Sequence, residues 1–190
     1  GFLIVNDFAY SDVYFEKNKP PSLLASDKNL KHSVELYSLT KGYSMAGWRV
    51  GFAVGNSDAV GALTKLKSYI DYGTFQPIQI ASTVALNELD DYPFELSTVY
   101  KERRDLVQEY LEDLEFIVQE SDATMFVWAK LPKRFNKDSL KFSLDILEKS
   151  NVAISPGIGF GKFGEGHIRI ALVENKQRIR QAMKNIKAAL

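Results

Sequence analysis

Three short, largely apolar runs constrain this chain more than any other feature. They occupy residues 2–5, 34–39 and 50–54, and each closes on polar or turn-forming residues: Asn6-Asp7, Thr40-Lys41 and Gly55-Asn56. Runs of this length, bounded in this way, are the pattern of strands covered on both faces in an α/β sheet. In open sheets of that kind, ligands bind beyond the carboxyl ends of the strands. Asp7, Tyr10 and Lys41 all fall there.

Helical spacing takes over next. Ser57 or Asp58 can cap a helix with Val60, Leu63, Leu66 and Ile70 on one face, and a second helix is expected over residues 77–89 with Pro77 in its first turn. Asp90-Asp91-Tyr92-Pro93 is the strongest break, because the residue before a proline is biased away from helix. It divides the chain into an α/β portion, residues 1–92, and a second module, residues 93–190.

The second module has a different pattern. A long helix is expected over residues 94–114, with Leu96, Val99, Leu106, Val107, Tyr110, Leu111 and Leu114 on one broad face. The charged stretch Lys101-Glu102-Arg103-Arg104-Asp105 is expected on its solvated side. Short strands are expected at residues 116–119, 125–131, 152–155 and 167–172, a helix at 139–149, and a last helix from about Glu174 that turns Ile179, Met183, Ile186 and Leu190 inward. Trp128 and Phe126 are expected in the core. Residues 156–166 hold five glycines and form a turn-rich connector rather than a phosphate fingerprint, since no helix directly follows. The whole is a compact α+β module.

Bulk composition narrows the function classes. The 190 residues are 45% hydrophobic and 25% charged, with Lys+Arg and Asp+Glu both at 24. A formal charge of zero lacks the basic footprint of a nucleic-acid binder. No apolar run approaches the roughly 20 residues needed to span a bilayer, and no signal peptide is recognisable. Cysteine is absent, which removes disulfides and thiolate metal ligands, and the two histidines are too isolated for a metal site. These features point to the cytoplasm. Because the chain opens on an apolar run directly after Gly1, an excised piece of a longer chain is expected.

Chemistry concentrates in the run Ser38-Leu39-Thr40-Lys41-Gly42-Tyr43-Ser44-Met45-Ala46-Gly47-Trp48-Arg49. A lysine amine forms an imine with an aldehyde once deprotonated, which burial or neighbouring positive charge favours. Arg49 carries a planar fork suited to a phosphate dianion, and Ser38 offers a hydroxyl donor. A salt bridge for Arg49 and a turn or cap role for Ser38 suit the same residues. Asp7 equally suits a turn or cap. Arg169 alternates away from Ile168, Ile170 and Leu172, a position compatible either with solvent or with bidentate recognition of a carboxylate.

The lysine segment resembles that of class I (fold-type I) aminotransferases, which use pyridoxal 5'-phosphate (PLP). Asp7 and Tyr10, then Ser38, Lys41 and Arg49, then Arg169 follow the order and rough spacing of that family. Residues 67–75, 155–161 and 169–175 are similar in particular to bacterial glutamate–pyruvate (alanine) aminotransferases, and LL-diaminopimelate aminotransferases share much of them. The resemblance covers only the C-terminal half of the family's chain. It implies the C-terminal part of a PLP-binding large domain, with an incomplete and mostly parallel sheet, followed by a small α+β domain. It further implies that Lys41 holds the cofactor and shuttles a proton, that Asp7 pairs with the ring nitrogen and Tyr10 with the ring oxygen, and that Ser38 and Arg49 anchor the phosphate. Arg169 would bind the substrate α-carboxylate. The implied reaction is amino transfer from an L-amino acid, with alanine expected, to 2-oxoglutarate. A homodimer is implied, with no metal, nucleic-acid or membrane partner, and the fragment alone would be inactive. Another fold-type I reaction, such as a carbon–sulfur β-lyase, or a non-catalytic module of the same fold are the rival readings.

Overall fold

The computed structural model describes residues 1–15, 19–135 and 137–190. They form two units, Gly1–Ser97 and Thr98–Leu190.

In the first unit, β1 (Ile4–Asp7) pairs in parallel with β2 (Ser33–Ser38), placing Asp7 opposite Leu36. A one-turn helix, α1 (Leu39–Gly42), follows directly. β3 (Gly51–Gly55) then returns antiparallel to β2, with Ser38 opposite Gly51. The sheet expected to be mostly parallel therefore has one parallel and one antiparallel ladder. The chain leaves β3 through Gly55, at φ 144°, where an added Cβ would lie 2.1 Å from the carbonyl oxygen of Ser33. Only glycine combines that backbone angle with so close an approach.

The expectation of strands covered on both faces fails for β1, where Val5 is 58% exposed. An apolar strand is buried only if another surface lies on it, and the described residues supply none there. The helix α2 (Ser57–Ile70) shows the same outcome. Asn56, rather than Ser57 or Asp58, caps it by accepting from the Ala59 N–H at 2.9 Å. None of its residues is buried, and Leu66 is 57% exposed. α3 (Gln76–Glu88) does pack, through Ala85. Leu39, Met45 and Ala85 form a buried cluster flanked by Tyr37, Tyr43, Val50 and Ala81.

A long helix, α4 (Tyr92–Asp113), begins two residues earlier than expected, with Pro93 in its first turn. A missing N–H is harmless there because that group has no intrahelical partner anyway. The division between the units falls after Ser97, inside this helix. Leu106, Val107, Leu111 and Leu114 are buried, Tyr110 is half-buried and Val99 is exposed. Arg104 departs from the expected solvated face: it is 9% exposed and donates to the Ser121 carbonyl at 2.6 Å and to the Asp105 carboxylate at 2.8 Å. Its charge stays satisfied while its stem packs inward.

The second unit is built on an antiparallel sheet of β4 (Ile117–Val118), β5 (Phe126–Lys130), β6 (Ser155–Pro156) and β7 (His167–Ala171), in the order β4-β5-β7-β6. The strand expected at 152–155 thus starts only at Ser155. α5 (Ser139–Ser150) packs on α6 (Lys176–Ala189). Val127, Ala129, Ile168, Phe142, Ile146, Ile179, Met183 and Ile186 are buried. Leu190, expected to point inward, lies past the end of α6 and is 38% exposed. Phe126 and Trp128 are half-buried rather than core residues, because strand alternation places Val127 and Ala129 on the buried face and them on the other. The glycine-rich connector forms two short 3-10 turns, Gly157–Phe160 and Lys162–Gly164.

Candidate active site

One end of the first sheet gathers most of the expected chemistry. β1 and β2 run parallel, so their carboxyl ends share an edge, and antiparallel β3 starts at that edge. Asp7 ends β1, Ser38 ends β2, and Arg49 stands two residues before Gly51, the partner of Ser38 across the ladder. Lys41 lies on the single-turn helix immediately after β2. Its Nζ is 5.3 Å from the centre of the Tyr10 ring, which joins Tyr10 to the same cluster.

Local sequence explains how each group is held. Ser38 caps α1: its Oγ accepts from the Thr40 N–H at 3.3 Å, leaving the hydroxyl proton free to donate outward. Cap and ligand roles are therefore compatible in one side chain. Leu39 is 0% exposed and Met45 is buried beside it, so the loop bearing Lys41 and Arg49 is pinned from beneath. The Tyr43 and Met45 N–H groups both donate to the Leu39 carbonyl, at 3.1 and 3.3 Å. Ser44 and Arg49 both adopt left-handed backbone, at φ 54° and 51°. Arg49 is exposed and donates one N–H to the Ala46 carbonyl at 3.2 Å. Most of its fork remains open to an anion, and no ion pair to a carboxylate is found for it among the described residues. Asp7 is exposed and accepts the Ala9 N–H at 3.3 Å, which fixes one oxygen and leaves the other available.

A second polar group on this unit escaped sequence reasoning. The Tyr37 hydroxyl donates to the Asp12 carboxylate, which also pairs with Lys19 at 3.3 Å. Burial, then the bond to Asp12, pushes the Tyr37 phenol above its ordinary range. Beside it, Glu35 is buried and accepts from Asn6, Ser22 and the Leu23 N–H. Asp12, Lys19, Ser22, Glu35 and Tyr37 border a cavity of about 400 Å³ that also touches Phe8 and Phe52. No spacing signal marked them: Asn6 and Glu35 meet through the sheet register, and Asp12, Lys19 and Ser22 reach the group from the segment between β1 and β2.

Arg169 belongs to the second unit. It lies on β7 opposite Trp128 and Ser155, half-buried, on the face turned away from Ile168. Its guanidinium carbon is 4.2 Å from the centre of the Phe126 ring and 4.1 Å from that of Phe160. Among the described residues its guanidinium makes no ion pair or side-chain hydrogen bond, so its in-plane donors are open. Among the described residues, too, no group of three His, Cys, Asp or Glu side chains could hold a metal, and no helix is long and apolar enough to cross a membrane.

The donor set suits a phosphorylated pyridine aldehyde. It offers a carboxylate for a protonated ring nitrogen, a phenol for the ring oxygen, an amine for the aldehyde, and a hydroxyl with a guanidinium for the phosphate.

Comparison with known proteins agrees. The profile of the family described as aminotransferase class I and II matches residues 1–186. The chain is 43% identical over 187 residues to glutamate-pyruvate aminotransferase AlaC of Escherichia coli (strain K12), covering 98% of this chain and 45% of that protein. It is 46% identical over 184 residues to an LL-diaminopimelate aminotransferase of Natranaerobius thermophilus, covering 97% and 47%. The structure of an aminotransferase from Staphylococcus aureus superposes with a TM-score of 0.89 at 36% identity, covering 98% of this chain and 49% of that one. The chain thus spans about half the length of the curated relatives it matches. It belongs to the class I and II aminotransferases, the PLP-dependent family to which its lysine segment points.

Proposed function

We propose that the full-length protein transfers the amino group of L-alanine to 2-oxoglutarate, with residues 1–92 contributing the C-terminal part of the PLP-binding domain and residues 93–190 the small domain. The convergence of Asp7, Ser38, Lys41 and Arg49 at one sheet edge, with Tyr10 5.3 Å from the Lys41 amine, carries this reading. Asp7 keeps the ring nitrogen protonated, and Tyr10 donates to the ring oxygen. Ser38 and Arg49 hold the phosphate. Lys41 holds the cofactor covalently, then takes the proton from the substrate α-carbon as a positioned amine base. Arg169 fixes the α-carboxylate. When bound, PLP supplies the electron sink that makes that carbon acidic.

Substrate choice rests on the likeness to AlaC. The 46% identity to an LL-diaminopimelate aminotransferase favours LL-diaminopimelate as the second reading. We read the protein as a cytoplasmic homodimer acting on amino and 2-oxo acids, with no nucleic-acid or membrane partner and no activity in this segment alone. The test adds PLP to the full-length protein and follows absorbance in the visible range. Lys41→Ala should abolish the covalent band, and alanine with 2-oxoglutarate should yield pyruvate and glutamate. A band that survives Lys41→Ala removes the assignment of that lysine. Glutamate formed from LL-diaminopimelate but not from alanine transfers the substrate assignment to the second reading.

A further inference from the structure

We propose that Phe126 and Phe160 are positioning residues that clamp the Arg169 guanidinium between two rings, so that only its in-plane N–H edge can meet a carboxylate. The inference rests on the reading that Arg169 binds the substrate carboxylate, and it adds how that arginine is held.

Every donor of a guanidinium lies in its plane, and neither flat face can hydrogen-bond. The central carbon lies over the Phe126 ring at 4.2 Å and over the Phe160 ring at 4.1 Å, and in the proposed clamp these two rings cover those faces. Each ring attracts the cation through its π face while leaving the donor edge untouched. An arginine on a flexible stem must normally lose rotamer freedom on binding an anion, whereas this one is ordered beforehand. Charge on the guanidinium remains unneutralised, since no ion pair is found for it among the described residues.

Both rings stand on rigid supports. Phe126 opens β5, paired with Ala171 across from β7, two residues from Arg169. Phe160 rides on the first turn of the glycine-rich connector, which is fixed at three points. The Ile158 N–H donates to the Oγ of fully buried Ser139 at 3.1 Å. Gly157 and Gly164 stand back to back, each with the position of an added Cβ about 2 Å from the other's carbonyl oxygen. Trp128, itself stacked on His167, meets the Phe160 ring edge-on at 5.7 Å between centres. The connector is thus a mount for Phe160.

The test uses the full-length holoenzyme, with KM for the amino donor and competitive inhibition by propionate, a carboxylate that cannot react. Losing one ring should raise both constants by about ten-fold. Phe160→Leu is expected to do this with a smaller change in kcat and an unaltered cofactor spectrum, and Phe160→Tyr to restore both constants. Phe126→Leu repeats the test from the other face should Phe160→Leu fail to fold. Arg169→Ala is the reference and should raise both constants further. Unchanged constants in Arg169→Ala would refute the carboxylate reading and the clamp with it. Elevated constants in Arg169→Ala, with wild-type constants in both leucine variants, would overturn the clamp alone. So would a leucine variant that loses kcat and cofactor together while KM stays put.

Discussion

Gly157→Ala is a sharp test of the mount beneath Phe160. An added Cβ would lie 2.0 Å from the Gly164 carbonyl oxygen and 2.6 Å from that of His167, against about 3.4 Å for an ordinary contact. Both obstacles are backbone, so no side chain can swing aside, and the two strands of the connector must part by more than an ångström. Overpacking of this kind typically costs about 1–3 kcal/mol, and rigid neighbours on two sides place this change near 3 kcal/mol. The displaced turn would carry Phe160 with it. In the full-length protein, urea unfolding followed by circular dichroism should show the midpoint fall without a change in slope, and KM for the amino donor should rise. Gly159→Ala is the matched control: nothing lies within 4 Å of its Cβ position, so it should leave both readouts in place. If Gly157→Ala unfolds at the wild-type urea concentration and keeps the wild-type KM, the connector is not a mount and the reasoning fails.

Two further outcomes are expected. Leu39→Ala empties the centre of the cluster under the Lys41–Arg49 loop and should cost about 3 kcal/mol, read by urea unfolding, with weaker retention of PLP on dialysis. Wild-type retention would mean that the loop does not depend on that cluster. The second concerns pH. The N–H groups of Ser139 and Gly166 donate to Glu165 and hold its carboxyl below its ordinary value of 4.5. The folded value is depressed, so the stabilisation is present above pH 4.5 and lost as pH falls through the lower folded value. Glu165→Gln should remove that part of the acid sensitivity in a pH series of urea midpoints; an identical pH profile would refute it.

Sequence patterns revealed which segments would be helices and strands better than what those segments touch. α2 has an apolar stripe at helical spacing, yet none of its residues is buried. Periodicity reports a surface that prefers a partner, not the partner itself. The same gap explains Phe126 and Trp128. Their hydrophobicity suggested a core, but alternation along β5 sets them beside Arg169 instead. Arg104 was hidden for the opposite reason: a charge run reads as solvated until a distant carbonyl, here that of Ser121, is brought to it. Among the candidate site residues, Ser38, Lys41 and Arg49 could be grouped from sequence because they lie within twelve positions of one another. The pairs Tyr37–Asp12 and Phe160–Arg169 could not, because neither has a spacing to read until a sheet register or a folded connector creates the contact.

The left-handed backbone at Arg49 has a consequence for anyone selecting variants of this protein. A side chain in that region is strained by about 1 kcal/mol or more, and glycine relieves it. Survival under heat alone would therefore reward the loss of this arginine, and with it any grip on a phosphate. If Arg49 holds the cofactor phosphate as proposed, thermal tolerance and cofactor loading pull in opposite directions at this one position, so an enrichment scheme that scores only the former would drift toward well-folded, empty molecules.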